Sequence, residues 1–389
     1  MYEEIKKELY EYSSLPGLKD EELERLINSL FLKYNKDASV DADARREAVS
    51  KIFSSVRGLG ILDEVLADNE ISEIMINRFD EIYIEKNGDM QRFGKSFESE
   101  KELIDVIQRI VGKAGREVNI ANPIVDTRLE GGERVNVVLP PISLAGPVVT
   151  IRRFPDMRIT MQDLIAFGSI SDEAAKFLKK LVRMKYNIFI SGGTSSGKTT
   201  FLNALSDYIP KTERIITIED SAELQITGIK NLIRMEARNS NTAGVGEVTI
   251  RDLIRTSLRM RPDRIIVGEV RGAEALDMLN AMNTGHDGSL STGHANSSMD
   301  MIYRLETMIL ESGASFPLVA VRQHIASSID IIVHLAKDAK GARRVVEISE
   351  VSGMEDGEIK LNPLYTFRER ALHRTENKLL HTEKMVLYG

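Results

Sequence analysis

The spacing of hydrophobic positions changes along the chain, and each change predicts a different kind of element. Over residues 1–57 it is helical. After a break at Pro16-Gly17, Leu23, Leu26, Ile27, Leu30, Phe31 and Tyr34 recur at helix spacing. Ala48, Val49, Ile52, Phe53 and Val56 form a second stripe, which Gly58 can end. Both stripes read as packing faces. From 58 to 153 alternating and helix-spaced runs mix. Ile82-Tyr83-Ile84 alternates, Asn87-Gly88 marks a hairpin, and a return strand passes through Met90 and Phe93. A helix with Leu103, Ile104, Ile107, Ile110 and Val111 inward follows, then strands at Val135–Leu139 and Val148–Ile151 around the Pro140-Pro141 loop. This predicts a compact α+β domain, followed by a connector over 154–169 in which Pro155 interrupts any continuous element.

From residue 170 to 389 the runs become short and solidly apolar. Ile188–Ile190, Arg214–Ile218, Arg264–Val267 and Ser289–Ser291 alternate with helical stretches, which predicts an α/β domain with a parallel sheet covered by helices. After residue 330, Ile331–Leu335 and Val345–Ile348 predict an antiparallel extension. The last dozen residues are polar and are expected to be loosely held.

Composition narrows the class of protein. The 389 residues carry a formal net charge of −7 and include no cysteine. A disulfide framework and a thiolate metal site are therefore excluded, and a reducing cytosol fits. The acidic balance argues against nucleic acid as the main partner. The first residues lack the apolar core of a signal peptide, and no apolar run approaches the roughly 20 residues that span a bilayer. A cytoplasmic protein that meets a membrane only through partners is the expectation.

The chemistry gathers where apolar runs end. Asn187-Ile188-Phe189-Ile190 leads into Gly192-Gly193-Thr194-Ser195-Ser196-Gly197-Lys198-Thr199-Thr200, and Phe201–Leu205 then reads as a helix. Strand, glycine loop and helix form the context in which backbone N–H groups cradle a triphosphate. Lys198 would reach the β- and γ-phosphates, and the Thr199 hydroxyl would hold Mg²⁺. Ligands in such sheets sit at the carboxyl ends of strands. One run ends in Glu219-Asp220-Ser221-Ala222-Glu223, whose carboxylates repel unless a cation or proton intervenes. Another ends in Gly268-Glu269, with glycine where many phosphate-loop enzymes carry an aspartate. Glu269 is left to act on Mg²⁺ through water or on the attacking water, unless it simply pairs with Arg271. A glycine-rich stretch from Gly285 to His294 holds two histidines, of which His294 is the stronger candidate for sensing a γ-phosphate. Arg251, Arg255 and Arg259 share a helical face behind a Thr249/Asp252 capping box, either as a solvated face or as a subunit interface.

Together these motifs resemble the secretion-superfamily ATPases, the hexameric motors of type II and type IV secretion and of type IV pili. Within that superfamily the chain is most similar to the CpaF-type motors of Tad/Flp pilus systems. Thr217–Leu224, Leu258–Arg264 and Gly285–Gly288 carry the likeness, with Ile74–Asn77, Gly132–Asn136 and Thr150–Phe154 in the smaller domain. The resemblance implies a RecA-like ATPase domain, and it implies Glu223, Glu269 and His294 as catalytic residues. It also implies that Arg134 and Arg152 reach the nucleotide, with ATP and Mg²⁺ as cofactors. An inner-membrane platform protein is the implied partner of a homohexamer. Ser221-Ala222 departs from the proline usual in pilus-retraction motors, which weakens that branch. A RecA-like nucleic-acid translocase or helicase is the alternative, disfavoured by the acidic charge. A nucleotide-gated scaffold is a third reading, disfavoured by the complete carboxylate set.

Overall fold

The computed structural model describes the chain apart from residues 1, 13–17, 36–41, 154–157, 239–245, 314 and 339–340. The expected breaks at Pro16-Gly17 and Pro155 lie outside the described residues. The chain forms two compact units, residues 1–156 and 157–389.

The first unit opens with helices α1 (Tyr2–Glu11), α2 (Asp20–Tyr34) and α3 (Ala42–Val56). Their apolar stripes meet in a core of their own, with Ile5, Leu9, Leu23, Ile27, Leu30, Phe31 and Ile52 buried. The helical spacing of these residues is what brings them to one face. There follow α4 (Ile61–Ala67), β1 (Ile71–Arg78), β2 (Glu81–Lys86), β3 (Asp89–Arg92), α5 (Glu100–Lys113), β4 (Ile124–Arg128), β5 (Arg134–Val138) and β6 (Val148–Arg152). The sheet order is β3-β2-β1-β6-β5-β4, with every pairing antiparallel. Burial alternates along β1, β2, β5 and β6, so only one face is covered. Helix α5, capped where the Ser99 hydroxyl accepts the Glu102 N–H, supplies Leu103, Val106, Ile107, Ile110 and Val111 to that core.

The second unit runs α6 (Met161–Ala166), α7 (Asp172–Arg183), β7 (Ile188–Gly192), α8 (Lys198–Ser206), β8 (Ile215–Glu219), β9 (Leu232–Glu236), α9 (Ile250–Ser257), β10 (Arg264–Val267), α10 (Glu274–Asn283), β11 (Leu290–His294), α11 (Ser298–Glu311) and α12 (Leu318–Ser328). Strands β12 (Ile331–Lys337), β13 (Arg343–Glu355), β14 (Glu358–Arg368), β15 (Ala371–Arg374) and helix α13 (Glu383–Tyr388) complete it. The sheet order is β15-β14-β13-β12-β7-β11-β10-β8-β9. From β12 to β9 neighbours are parallel, and from β12 outward to β15 they are antiparallel. Side chains of α6, α7 and α8 pack on one face and those of α9 to α12 on the other. This is the predicted RecA-like α/β domain with its antiparallel extension. The connector is not featureless: Thr160 and Asp163 form a capping box that starts α6 inside it.

Arg264 is wholly buried at the amino end of β10. Its guanidinium donates to Glu213 Oε2 at 2.5 Å and Oε1 at 3.0 Å, and to the carbonyls of Val182 and Gly288. The expectation of a loose C-terminus is overturned. Lys384 on α13 pairs with Asp287 and Asp330, each at 2.7 Å, and the Tyr186 hydroxyl donates to the His381 carbonyl. Polarity in this tail reflects ion pairing to the sheet's amino edge. No described helix is long and apolar enough to cross a membrane.

Removing one partner of a buried ion pair strands the other charge. Glu213→Ala should lower unfolding free energy by about 3 kcal/mol, measured by chemical denaturation.

Candidate functional site

Strand β7 is where the sheet's order reverses: the chain leaves it through α8 toward β8 on one side and later returns as β12 on the other. Crevices beyond the carboxyl ends of strands at such a point are where α/β sheets bind ligands. The loop Gly192-Gly193-Thr194-Ser195-Ser196-Gly197 emerges from β7 there, and Lys198, Thr199 and Thr200 form the first turn of α8. Gly197 caps that helix at φ +92°, in the left-handed region that disfavours a side chain.

Lys198 is almost fully buried and donates to the carbonyls of Gly192 at 3.1 Å and Gly193 at 2.9 Å. It also lies 3.2 Å from His294 Nδ1. An ammonium has no acceptor, so Nδ1 must accept and the ring proton sits on Nε2. Nε2 lies 2.9 Å from Glu269 Oε1, a close charge contact without hydrogen-bond alignment. Burial holds both Lys198 and His294 below their ordinary pKa ranges, with Glu269 opposing in each case. Glu269 also receives Arg271 Nη2 at 2.9 Å, and the same guanidinium reaches Asp220 at 3.2 Å. Lys198, His294, Glu269, Arg271 and Asp220 thus form one connected series across four strand ends. The pairing of Glu269 with Arg271, weighed from sequence as the alternative to a role at the nucleotide, is present alongside its contact to His294.

Glu219, the last residue of β8, is the member that sequence spacing does not single out. It is 3% exposed, and its Oε1 accepts the backbone N–H groups of Glu223 at 2.8 Å and Leu224 at 2.7 Å. Burial pushes its carboxyl up to about 7 despite those two donors. Its Oε2 is buried with no hydrogen-bond partner among the described residues. A Cβ built on Gly268 would stand 3.1 Å from Glu219 Cγ. Glycine at the strand end therefore leaves room for the neighbouring strand's carboxylate. Glu219 in turn holds the backbone that carries Glu223.

The remaining candidate residues fall in different places. Strand β11 covers Leu290–His294, so His294 lies at its carboxyl end and His286 precedes its amino end. His286 Nδ1 sits 3.3 Å from the Ala281 carbonyl, away from the phosphate loop. Helix α9 stops at Ser257, which leaves Arg259 outside it. Arg251 and Arg255 both reach Asp277, at 2.7 and 2.8 Å, so their repulsion is relieved within the chain. The Thr249/Asp252 capping box is present. Arg134 and Arg152 belong to the first unit, where they are cross-strand partners on the face away from the apolar core, beside Arg128 and Glu73.

A parallel α/β domain with a phosphate loop at its switch point and carboxylates at the neighbouring strand ends defines the class: a RecA-like P-loop protein. The chain belongs to the type II/IV secretion system protein family, whose model matches residues 56–372. It is 33% identical over 293 residues to the conjugal transfer protein TrbB of Rhizobium radiobacter, covering 74% of this chain and 86% of that one. It is 30% identical over 300 residues to the type IV secretion system protein VirB11 of Brucella suis, covering 69% and 82%. Its fold matches the crystal structure of the Legionella pneumophila ATPase DotB with a TM-score of 0.53 at 21% identity, over 75% of this chain and 80% of that one.

A carboxyl whose folded pKa is raised opposes folding once ionised. Glu219 therefore contributes most to stability below about pH 4.5 and loses that contribution as pH rises through about 7. Glu219→Gln removes the titration. The stability of the variant minus that of the wild type should rise across this window by on the order of 2 kcal/mol in thermal or urea melts, and a flat difference would refute the assignment.

Proposed function

We propose that this chain is a Mg²⁺-dependent ATPase that works as a ring-forming motor for protein secretion or for assembly of Tad/Flp-type pili. The observation that carries the reading is the series of polar contacts Lys198–His294–Glu269–Arg271–Asp220, which joins the phosphate loop to both acidic motifs and the histidine loop. Lys198 rests on loop carbonyls that a triphosphate would replace as its partner, so binding exchanges one set of acceptors for a more strongly charged one. That exchange takes Lys198 away from His294 Nδ1. The imidazole, next to phosphate and still supported by Glu269, then gains reason to protonate and donate, which is how it would sense the γ-phosphate.

Glu223 is assigned the water-orienting or base role, held in place by Glu219. Glu269 stands as the second catalytic carboxylate and His294 as the third catalytic group. Gly192 to Thr200 bind the phosphates, and the Thr199 hydroxyl would hold Mg²⁺, whose charge neutralises that of the phosphates. Arg134 and Arg152 are proposed to reach the nucleotide. Arg134 and Arg152 are cross-strand cations, and an anion would relieve their mutual repulsion. A homohexamer in the cytoplasm, acting on an inner-membrane platform protein, is the proposed assembly. The domains proposed are 1–57, 58–153 and 170–389, with 154–169 as the hinge. The names of the relatives span conjugal transfer and type IV secretion. Conjugal transfer keeps a nucleic-acid translocase as the second reading.

Phosphate-release assays test this. Lys198→Ala should abolish hydrolysis. Glu223→Gln should retain nucleotide binding while turnover falls at least about a hundredfold; unchanged turnover would remove Glu223 from the mechanism. Stimulation by membrane extract and indifference to DNA or RNA would favour the secretion reading. The reverse would favour the translocase.

A further inference from the structure

The hairpin joining β12 to β13 brings an arginine onto the phosphate loop that none of the recognised motifs contains. β12 runs parallel to β7 with Leu335 opposite Gly192, so it flanks the strand that delivers the loop. β13 then starts opposite the end of β12, where Arg343 pairs with Lys337. Two adjacent arginines there point to different tasks. Arg344 ties the hairpin down: it donates to the Gly168 carbonyl at 2.9 Å, pairs with Asp338 at 3.2 Å and lies over the Phe367 ring. The next residue, Val345, donates its N–H to the Ser169 carbonyl at 2.8 Å.

Arg343 turns the other way. Its Nε donates to the Ser195 carbonyl at 3.0 Å, and its Cδ lies 3.3 Å from where a Cβ on Gly197 would be. The stem therefore covers the open side of Gly197 while the head holds the peptide two residues before it. A trans peptide points its N–H opposite to its C=O. With the Ser195 carbonyl held by Arg343, the Ser196 N–H of the same peptide is turned the opposite way and meets the Gly193 carbonyl at 3.4 Å. That carbonyl is also a partner of Lys198. Ser195 itself is kept at φ +56°, a left-handed conformation that a non-glycine residue holds only when its surroundings enforce it.

We propose that Arg343 is a positioning residue for the phosphate loop: from the C-terminal hairpin it fixes the Ser195–Ser196 peptide with its N–H facing the phosphate site. The inference rests on the reading of that loop as an ATP site. It gives the antiparallel extension a part in nucleotide binding, through contacts made within the second unit.

The test compares the full-length wild type with Arg343→Met and Arg343→Lys. Methionine keeps an apolar stem over Gly197 and removes the donor; lysine restores a donor. ATP binding by titration calorimetry and steady-state hydrolysis are measured together with amide exchange of loop residues 193–197 in nucleotide-free protein. Arg343→Met should raise KM and Kd for ATP about tenfold, with the larger change in KM than in kcat, and should speed exchange at Ser196. Arg343→Lys should recover most of the affinity and protection. An Arg343→Met protein with wild-type affinity and wild-type exchange would overturn the proposal. If the wild type itself failed to bind ATP, the ATPase reading would fall; the exchange comparison would still judge whether Arg343 holds the loop.

Discussion

Burial of the parallel sheet on both faces is the constraint from which the site follows. β7, β8 and β10 are buried along their whole length, and β11 is buried up to its last residue. Polar backbone there is satisfied by the ladder, and charged side chains have no place along the strands without large desolvation costs. They collect where the strands end. Parallel pairing places those ends on one edge, so Gly192, Glu219, Gly268-Glu269 and His294, far apart in sequence, come to border one crevice.

Within that crevice, several charged groups already have partners. Lys198 donates to loop carbonyls, Glu269 accepts from Arg271 through Oε2 with His294 beside Oε1, and Asp220 accepts from Arg271. Glu219 adds a carboxyl pushed up to about 7 by burial and holding two backbone amides. A triphosphate entering such a site would exchange existing partners instead of desolvating free charges, which would lower the cost of binding. The lack of a side chain at Gly268 belongs to the same economy, since Glu219 from the neighbouring strand takes up that space.

The first unit works by a different rule. Its sheet is covered on one face only, so its strands alternate, and the uncovered face can carry a row of charges: Arg128, Arg134, Arg152 and Glu73 lie side by side across four strands. Three arginines with one carboxylate leave the unit with a cationic strip that its apolar core does not require.

Hydrophobic periodicity and end-of-run residues made much of this legible in the sequence. The parallel strands, the helices around them, the antiparallel extension and the phosphate loop all have local signatures, because one buried strand or one glycine turn must be encoded in adjacent residues. The edge strands β4, β9 and β15 lack such a signature, since a half-exposed strand borrows its stability from neighbours. What only the tertiary structure decided is pairing at a distance. Arg251 and Arg255 find Asp277, the polar tail finds Asp287 and Asp330, and the two histidines of one glycine-rich stretch part to opposite ends of β11. Spacing along a chain sets which face a residue takes within its own element. Which charge waits on the next element depends on sheet order and register, and those are properties of the packed whole.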